Sequence, residues 1–142
     1  MSQEKVEIVR AVYEEWAKGN FRAGTDLYDP LVLFVPIPEF PAAEHYLGKD
    51  GVRDFMLTFL GAWTSLTIEA EELIKVGDSV VVTARWRGIG KGSGAHTEKQ
   101  AFDVWTFRGR KATRVEFFQT QSEALEAVGL SEQDAHWKSS PS

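Results

Sequence analysis

Ser79-Val-Val-Val-Thr-Ala-Arg-Trp-Arg-Gly-Ile-Gly-Lys-Gly-Ser-Gly94, continued by Ala95-His-Thr-Glu-Lys-Gln-Ala-Phe-Asp-Val-Trp-Thr-Phe107, reads as one long, bent β-hairpin. Side chains alternate between faces along a strand. The even set of the first arm is therefore Val80, Val82, Ala84 and Trp86, followed by glycines at 88, 90, 92 and 94. The odd set is Val81, Thr83, Arg85, Arg87 and Ile89. A turn centred near Gly94 pairs residues whose numbers sum to about 188 and so sets Arg85 opposite Asp103, with Cβ atoms ~5 Å apart. Such an Arg–Asp pair either fixes register or equips a pocket, and it shares its face with Trp105 and Phe107. Glycine at every second position strips one face of side chains, which permits bending or the close approach of another segment. Gly88-x-Gly90 is not a dinucleotide fingerprint: Ser93 stands at the third glycine position, and strand follows where a helix is required.

The chain around this hairpin has 142 residues, which fits one domain, residues 1–130, followed by a short tail, 131–142. A hydrophobic share of 43% and an aromatic share of 12% supply a core or pocket of large residues. The net charge of −5 argues against a nucleic-acid partner, which needs a basic stripe. With no cysteine, disulfides and thiolate metal sites are excluded. The three histidines are scattered, so no metal is expected, and no motif implies a cofactor. No apolar run reaches the ~18 residues of a membrane span and none resembles a signal sequence, so the expected location is the cytoplasm.

Before the hairpin, Val6, Val9, Val12, Tyr13 and Trp16 recur at helical spacing and predict a helix over Ser2–Lys18. A second, short helix is predicted from Phe21 to Tyr28, then a strand from Leu31 to Val35. Next comes a proline-rich loop carrying Glu39, Glu44 and His45. Asp50 is the expected N-cap of a third helix, whose stripe is Val52, Phe55, Met56, Phe59 and Leu60. A strand over Leu66–Val76 leads into the hairpin through Gly77-Asp78. After the turn at Arg108-Gly-Arg110, a last strand runs over Thr113–Gln121, and Ser122 is the expected cap of a C-terminal helix ending at Gly129. The fold class is α+β, with the helices segregated from an antiparallel sheet.

This order of elements, with Val104-Trp-Thr-Phe107, a glycine turn and the terminal Ser122-Glu-Ala-Leu-Glu-Ala-Val-Gly-Leu130, resembles the nuclear transport factor 2-like superfamily and in particular its SnoaL-like small bacterial proteins. The resemblance covers roughly residues 4–130. It implies a cone: a curved, mainly antiparallel sheet around a pocket, covered by three N-terminal helices, with a short C-terminal helix. Ketosteroid isomerases of the superfamily use a helix Tyr, a strand-end Asp as base and a protonated strand Asp as hydrogen-bond donor. The last of these corresponds to Asp103, whereas the base position falls on Val35 and the Tyr position on Val12, one residue from Tyr13. Epoxide hydrolases place an Arg and an Asp two residues apart on the strand of Arg85, and here Arg87 stands in place of that Asp.

Aligned in this way, Asp103, Trp105 and Phe107 face the pocket with Val115, Phe117 and Gln119. Val82, Ala84, Trp86, Phe102, Val104 and Phe118 form an apolar outer face that suggests a homodimer. The expected lining comprises Trp16, Phe55, Phe59, Trp105, Phe107 and Phe117. Its polar members are Arg85, Asp103, Gln119 and the loop residue His45. Such a chamber suits a small, mostly apolar molecule with one carbonyl, hydroxyl or carboxylate. Two functions follow. One is acid–base isomerase, cyclase or dehydratase chemistry centred on Asp103, with Arg85 keeping it ionised. The other is a non-catalytic ligand-binding or accessory domain in which Arg85–Asp103 is a structural pair.

Overall fold

A computed structural model describes residues 2–37 and 45–129. Helix α1 (Ser2–Ala17) is followed by a single 3-10 turn (Thr25–Leu27), strand β1 (Tyr28–Val35) and the two-residue strand β2 (Tyr46–Leu47). Helix α2 (Gly48–Gly61) comes next, then four long strands: β3 (Trp63–Val76), β4 (Ser79–Gly90), β5 (His96–Arg108) and β6 (Lys111–Phe118). Helix α3 (Gln121–Ala127) closes the described chain. The three expected N-terminal helical segments are present, the middle one reduced to one 3-10 turn behind the left-handed Gly24. Glu39 and Glu44 of the proline-rich loop, and the tail 131–142, lie outside the described residues. None of the described helices is long and apolar enough to cross a membrane.

The six strands form one sheet in the order β2-β1-β6-β5-β4-β3. All neighbours are antiparallel except β1 and β6, which run parallel. The α1 stripe is the one read from the sequence: Val6, Val9, Val12, Tyr13 and Trp16 are all buried. So are Val52, Phe55 and Phe59 on α2. Two helix starts differ from expectation. Asp50 lies in the first turn of α2, whose N-cap position is Leu47. Thr120, not Ser122, caps α3, its hydroxyl accepting from the Glu123 N–H at 3.2 Å.

The hairpin forms, but in a different register. Gly90 N–H donates to Ala95 O at 2.9 Å and Gly94 N–H to Gly90 O at 3.0 Å, and both Gly92 and Gly94 take positive φ. The ladder then pairs Ile89 with His96 and Val82 with Asp103, so Arg85 stands opposite Gln100, three positions from Asp103. An odd slip exchanges the two faces of a strand. Val82, Ala84 and Trp86 consequently point into the cone with Asp103, while Arg85 points out. The apolar outer set expected for a dimer is thus divided. Half of it is core, and Val104 packs with Val81 under Ala124 of α3, with Phe102 and Phe118 beside them. One chain satisfies that pattern by itself, so it carries no argument for a second subunit.

The glycine face has a packing reason at Gly88. A Cβ there would come within 2.6 Å of the Trp63 ring and 3.0 Å of Ser65 O, so the ring lies directly against bare backbone. Gly88→Ala is expected to cost ~1–3 kcal/mol in urea unfolding, as overpacking does. Gly61→Ala, where a Cβ would meet nothing within 4 Å at the end of α2, is expected to be neutral or to gain up to ~1 kcal/mol. Equal effects would show that Trp63 does not close over Gly88.

Candidate functional site

The centre of the cone is a buried polar chain of three side chains. Asp103, on β5, is 1% exposed. The Tyr13 hydroxyl, from α1, donates to Asp103 Oδ2 at 2.6 Å. Trp105 Nε1 donates in turn to the Tyr13 oxygen at 3.0 Å. An indole nitrogen only donates and an ionised carboxylate only accepts, so the Tyr13 hydroxyl accepts from Trp105 and gives its proton to the charged Asp103. Asp103 Oδ1 has no hydrogen-bond partner among the described residues.

The electrostatics follow from burial. Desolvation raises the Asp103 pKa to about 7, opposed by the Tyr13 hydrogen bond, which favours the charged form. Burial, and then the adjoining Asp103 carboxyl, push the Tyr13 hydroxyl well above its ordinary value, so it stays a donor. The arginine expected to hold Asp103 ionised does not meet it. Arg85 reaches Glu71 at 2.7 Å and Glu98 at 3.2 Å on the opposite face, and Gln100 completes that outer network by donating to Glu71 at 2.9 Å.

Asp103 lines a pocket bounded by Trp16 of α1, Phe55 and Phe59 of α2, Trp86 of β4 and Phe117 of β6. It is the sole ionisable side chain among the described lining residues. The space is slim, leaving about 20 Å³ for the centre of a water-sized sphere. Phe21 and Met56 border both this pocket and a wider outer groove that carries Arg22, Lys49 and Arg53, so they stand between the interior and solvent. Among the described residues no group of three His, Cys, Asp or Glu is placed to hold a metal ion.

Of the residues singled out from the sequence, Asp103, Trp16, Phe55, Phe59 and Phe117 meet at this pocket. Trp105 and Phe107 are buried in the core beside it rather than lining it. Trp105 stacks on Tyr28 with ring centroids 6.2 Å apart. Gln119 falls outside, because β6 ends at Phe118 and Gln119 is exposed in the bend before α3. His45 is exposed ahead of β2 and does not line the pocket of Asp103. Several residues of the site were not anticipated from the sequence, among them Phe21, Pro36, Ile37 and Met56 on the pocket wall. Trp86 and Ile68 enter it through the changed register, Ile68 being the β3 partner of Trp86. Tyr13, rather than the aligned Val12, is the helix residue that reaches the strand carboxyl. Its signal was present: Tyr13 and Trp16 are an i,i+3 pair on one helix face.

Two consequences are measurable. Tyr13→Phe removes a hydrogen bond to the ionised form, so Asp103 should titrate higher by about one to two pH units in carboxyl-carbon NMR. Arg85→Ala should leave that titration where it was, and a shift there would place the arginine on the inner face after all. The second consequence concerns stability. An unfolded Asp ionises near pH ~4, whereas folded Asp103 keeps its proton to about 7. The folded state therefore binds more protons between those values, and stability falls as pH rises through that window. Asp103→Asn lacks this loss, so its stability relative to wild type should improve by on the order of 2–3 kcal/mol between pH 5 and 8. Parallel urea midpoints across the range would contradict a buried, late-ionising carboxyl.

Comparison with known proteins bears on the same architecture. No curated protein sequence matches the chain significantly. Among solved structures, TerC co-crystallised with polyporic acid superposes with a TM-score of 0.71 at 23% identity, covering 87% of this chain and 97% of that one. An NTF2-like protein of unknown function from Burkholderia pseudomallei K96243 gives 0.73 at 20% identity, covering 91% and 99%. A hypothetical protein from Catenulispora acidiphila DSM 44928, with a ketosteroid isomerase-like fold and in complex with trimethylamine, gives 0.65 at 15% identity, covering 92% and 95%. At these identities the likeness is one of fold. The family model of the SnoaL-like domain matches residues 9–115, from α1 into β6, and the chain belongs to that family.

Proposed function

We propose that this protein binds a small, flat, mostly apolar carbonyl compound inside the cone, and that Asp103 moves a proton on it, as in an isomerase, cyclase or dehydratase. The observation that carries this is the state of Asp103: a lone carboxyl in an aromatic pocket, with one oxygen held by Tyr13 and the other unpartnered. A pKa of about 7 suits a group that must both take and return a proton at neutral pH. The complexes of TerC with polyporic acid and of the Catenulispora protein with trimethylamine support a small-molecule role for this fold.

In the proposed step the ionised Asp103 takes a proton from carbon next to the ligand carbonyl. The C–H electron pair moves onto the carbonyl oxygen as an enolate. Returning the proton at the same or a conjugated carbon restores the carboxylate. Tyr13 is a positioning residue here, since it fixes the carboxyl through Oδ2 and leaves Oδ1 for the ligand. The aromatic walls exclude water and present their faces to a flat molecule.

The test is exchange of the α-protons of 2-tetralone in D2O buffer, followed by proton NMR. Wild-type protein should accelerate exchange, with the rate rising through an inflection near 7, as expected if the ionised carboxyl is the active form. Asp103→Asn should lose ~10²–10⁴-fold of that acceleration, and Tyr13→Phe should move the inflection upward. If wild type binds 2-tetralone without accelerating exchange, the protein is a binding domain and the acid–base assignment is wrong.

A further inference from the structure

The outer groove is a second concave surface, lined by α2 on one side and by the segment between α1 and β1 on the other, with a volume of about 690 Å³. Its α2 wall is a single stripe. Lys49, Arg53 and Leu57 recur at intervals of four, with Met56 and Leu60 beside them, so they share one helix face. The stripe is polarised, with its two cations toward the N-terminal end of α2 and its apolar side chains toward the C-terminal end. Helical rise sets Lys49 and Leu60 about 16 Å apart along the axis. Phe21 and Arg22 belong to the facing wall.

Three cations and one carboxylate, Asp50, line this groove in a chain whose net charge is −5. Arg53 meets Asp50 only at 3.5 Å, and both side chains are mostly exposed. Neither Arg22 nor Lys49 is committed to an ion pair among the described residues. Leu57 is 68% exposed. A lone exposed leucine needs no explanation, but this one continues a row of uncompensated cations along one groove. We infer that the groove is a second binding site, separate from the cone pocket, for a linear amphiphile with a carboxylate head. Lys49, Arg53 and the facing Arg22 hold the head, and the chain lies along Met56, Leu57 and Leu60. The local excess of positive charge selects an anion, and guanidinium groups match the two oxygens of a carboxylate. The apolar half selects the chain, whose methylenes leave water there. The volume is that of a small-molecule site, whose usual range is ~300–1,000 Å³. A neutral flat ketone, the class proposed for the cone, would leave these cations unpaired. The inference does not rest on the function of Asp103, which lines the other space.

Octanoate, 1-octanol and decanoate test the head and the chain separately by titration calorimetry. Octanoate should bind about three- to tenfold more tightly than 1-octanol, which has the same chain length without the charge. Decanoate should bind about five- to tenfold more tightly than octanoate. The charged groove side chains are exposed, so substituting them spares the fold. Arg22→Gln, Lys49→Gln and Arg53→Gln should each weaken octanoate about two- to fivefold and leave 1-octanol within about twofold. Asp50→Asn should strengthen octanoate, a gain that a merely structural residue would not give. Lys91→Gln, in the turn between β4 and β5, removes the same charge elsewhere and should change nothing, as should Asp103→Asn. In methyl NMR, Leu57 and Leu60 should shift with octanoate while Ile68 of the cone pocket stays in place. Equal affinity for octanoate and 1-octanol, or an effect of Lys91→Gln as large as those in the groove, would overturn the inference. A shift at Ile68 in place of Leu57, or no binding of decanoate, would overturn it as well.

Discussion

A carboxyl group enclosed by aromatic rings must either lose its charge or find strong partners, and most of the interior of this protein is arranged around that constraint at Asp103. One partner is supplied, the Tyr13 hydroxyl from α1. Trp105, two residues along the same strand, supplies the donor that orients Tyr13. Among the described residues no cation lines the pocket with it, and Arg85 of the neighbouring strand is committed to Glu71 and Glu98 on the other face. One hydrogen bond offsets only part of the desolvation, and the group titrates at about 7. The same hydrogen bond ties the first helix to the fifth strand across 90 residues. That contact serves the site and adds to the buried stripe of Val6, Val9, Val12 and Trp16 in seating α1.

The two faces of the β3–β4–β5 region divide the polar residues sharply. Outside, Glu69, Glu71, Arg85, Arg87 and Glu98 form a connected ladder of ion pairs in solvent. Inside, Val82, Ala84, Trp86 and Ile68 face the pocket and the core, with Asp103 the buried carboxyl among them. Each part of this arrangement requires the other, because Arg85 brought indoors would have lowered the Asp103 pKa and removed its capacity to hold a proton near pH 7. The hairpin turn, by setting an odd slip in the pairing, decides on which face the arginine lies.

Polar atoms without partners oppose folding, and among the described residues three such atoms belong to side chains that line this pocket. A protein selected only for stability would have paired or deleted these groups, as it paired Trp105. Their retention at one pocket is the kind of local inconsistency expected at functional sites. Phe21 and Met56, side chains without charge, line both the pocket and the outer groove. Displacing them breaks no ion pair, which suits them to admit an apolar molecule.

The sequence by itself determined the elements and the residue at the heart of the site. The stripes of α1 and α2, the four long strands, the tight turns and the SnoaL-like order all rest on periodicities of 3.6 and 2, which near neighbours enforce. Asp103 stood out as the carboxylate of Phe102-Asp-Val-Trp-Thr-Phe107, at the position of the strand Asp of ketosteroid isomerases and opposite the expected Arg85. Tertiary structure alone decided its partners. The sequence offers a glycine at both 92 and 94, and local pattern does not reveal that both take positive φ. The parity of the ladder depends on that detail, and with it the exchange of Arg85 for Val82 opposite Asp103. One residue along α1 is a turn of about 100°, so choosing Tyr13 over Val12 required knowing how the helix rolls on the sheet. Gln119 was lost because β6 stops one residue earlier to let Thr120 cap α3. In each case the periodicity of a segment is a property of the segment, whereas the face it presents is set by hydrogen bonds and packing with residues distant in sequence.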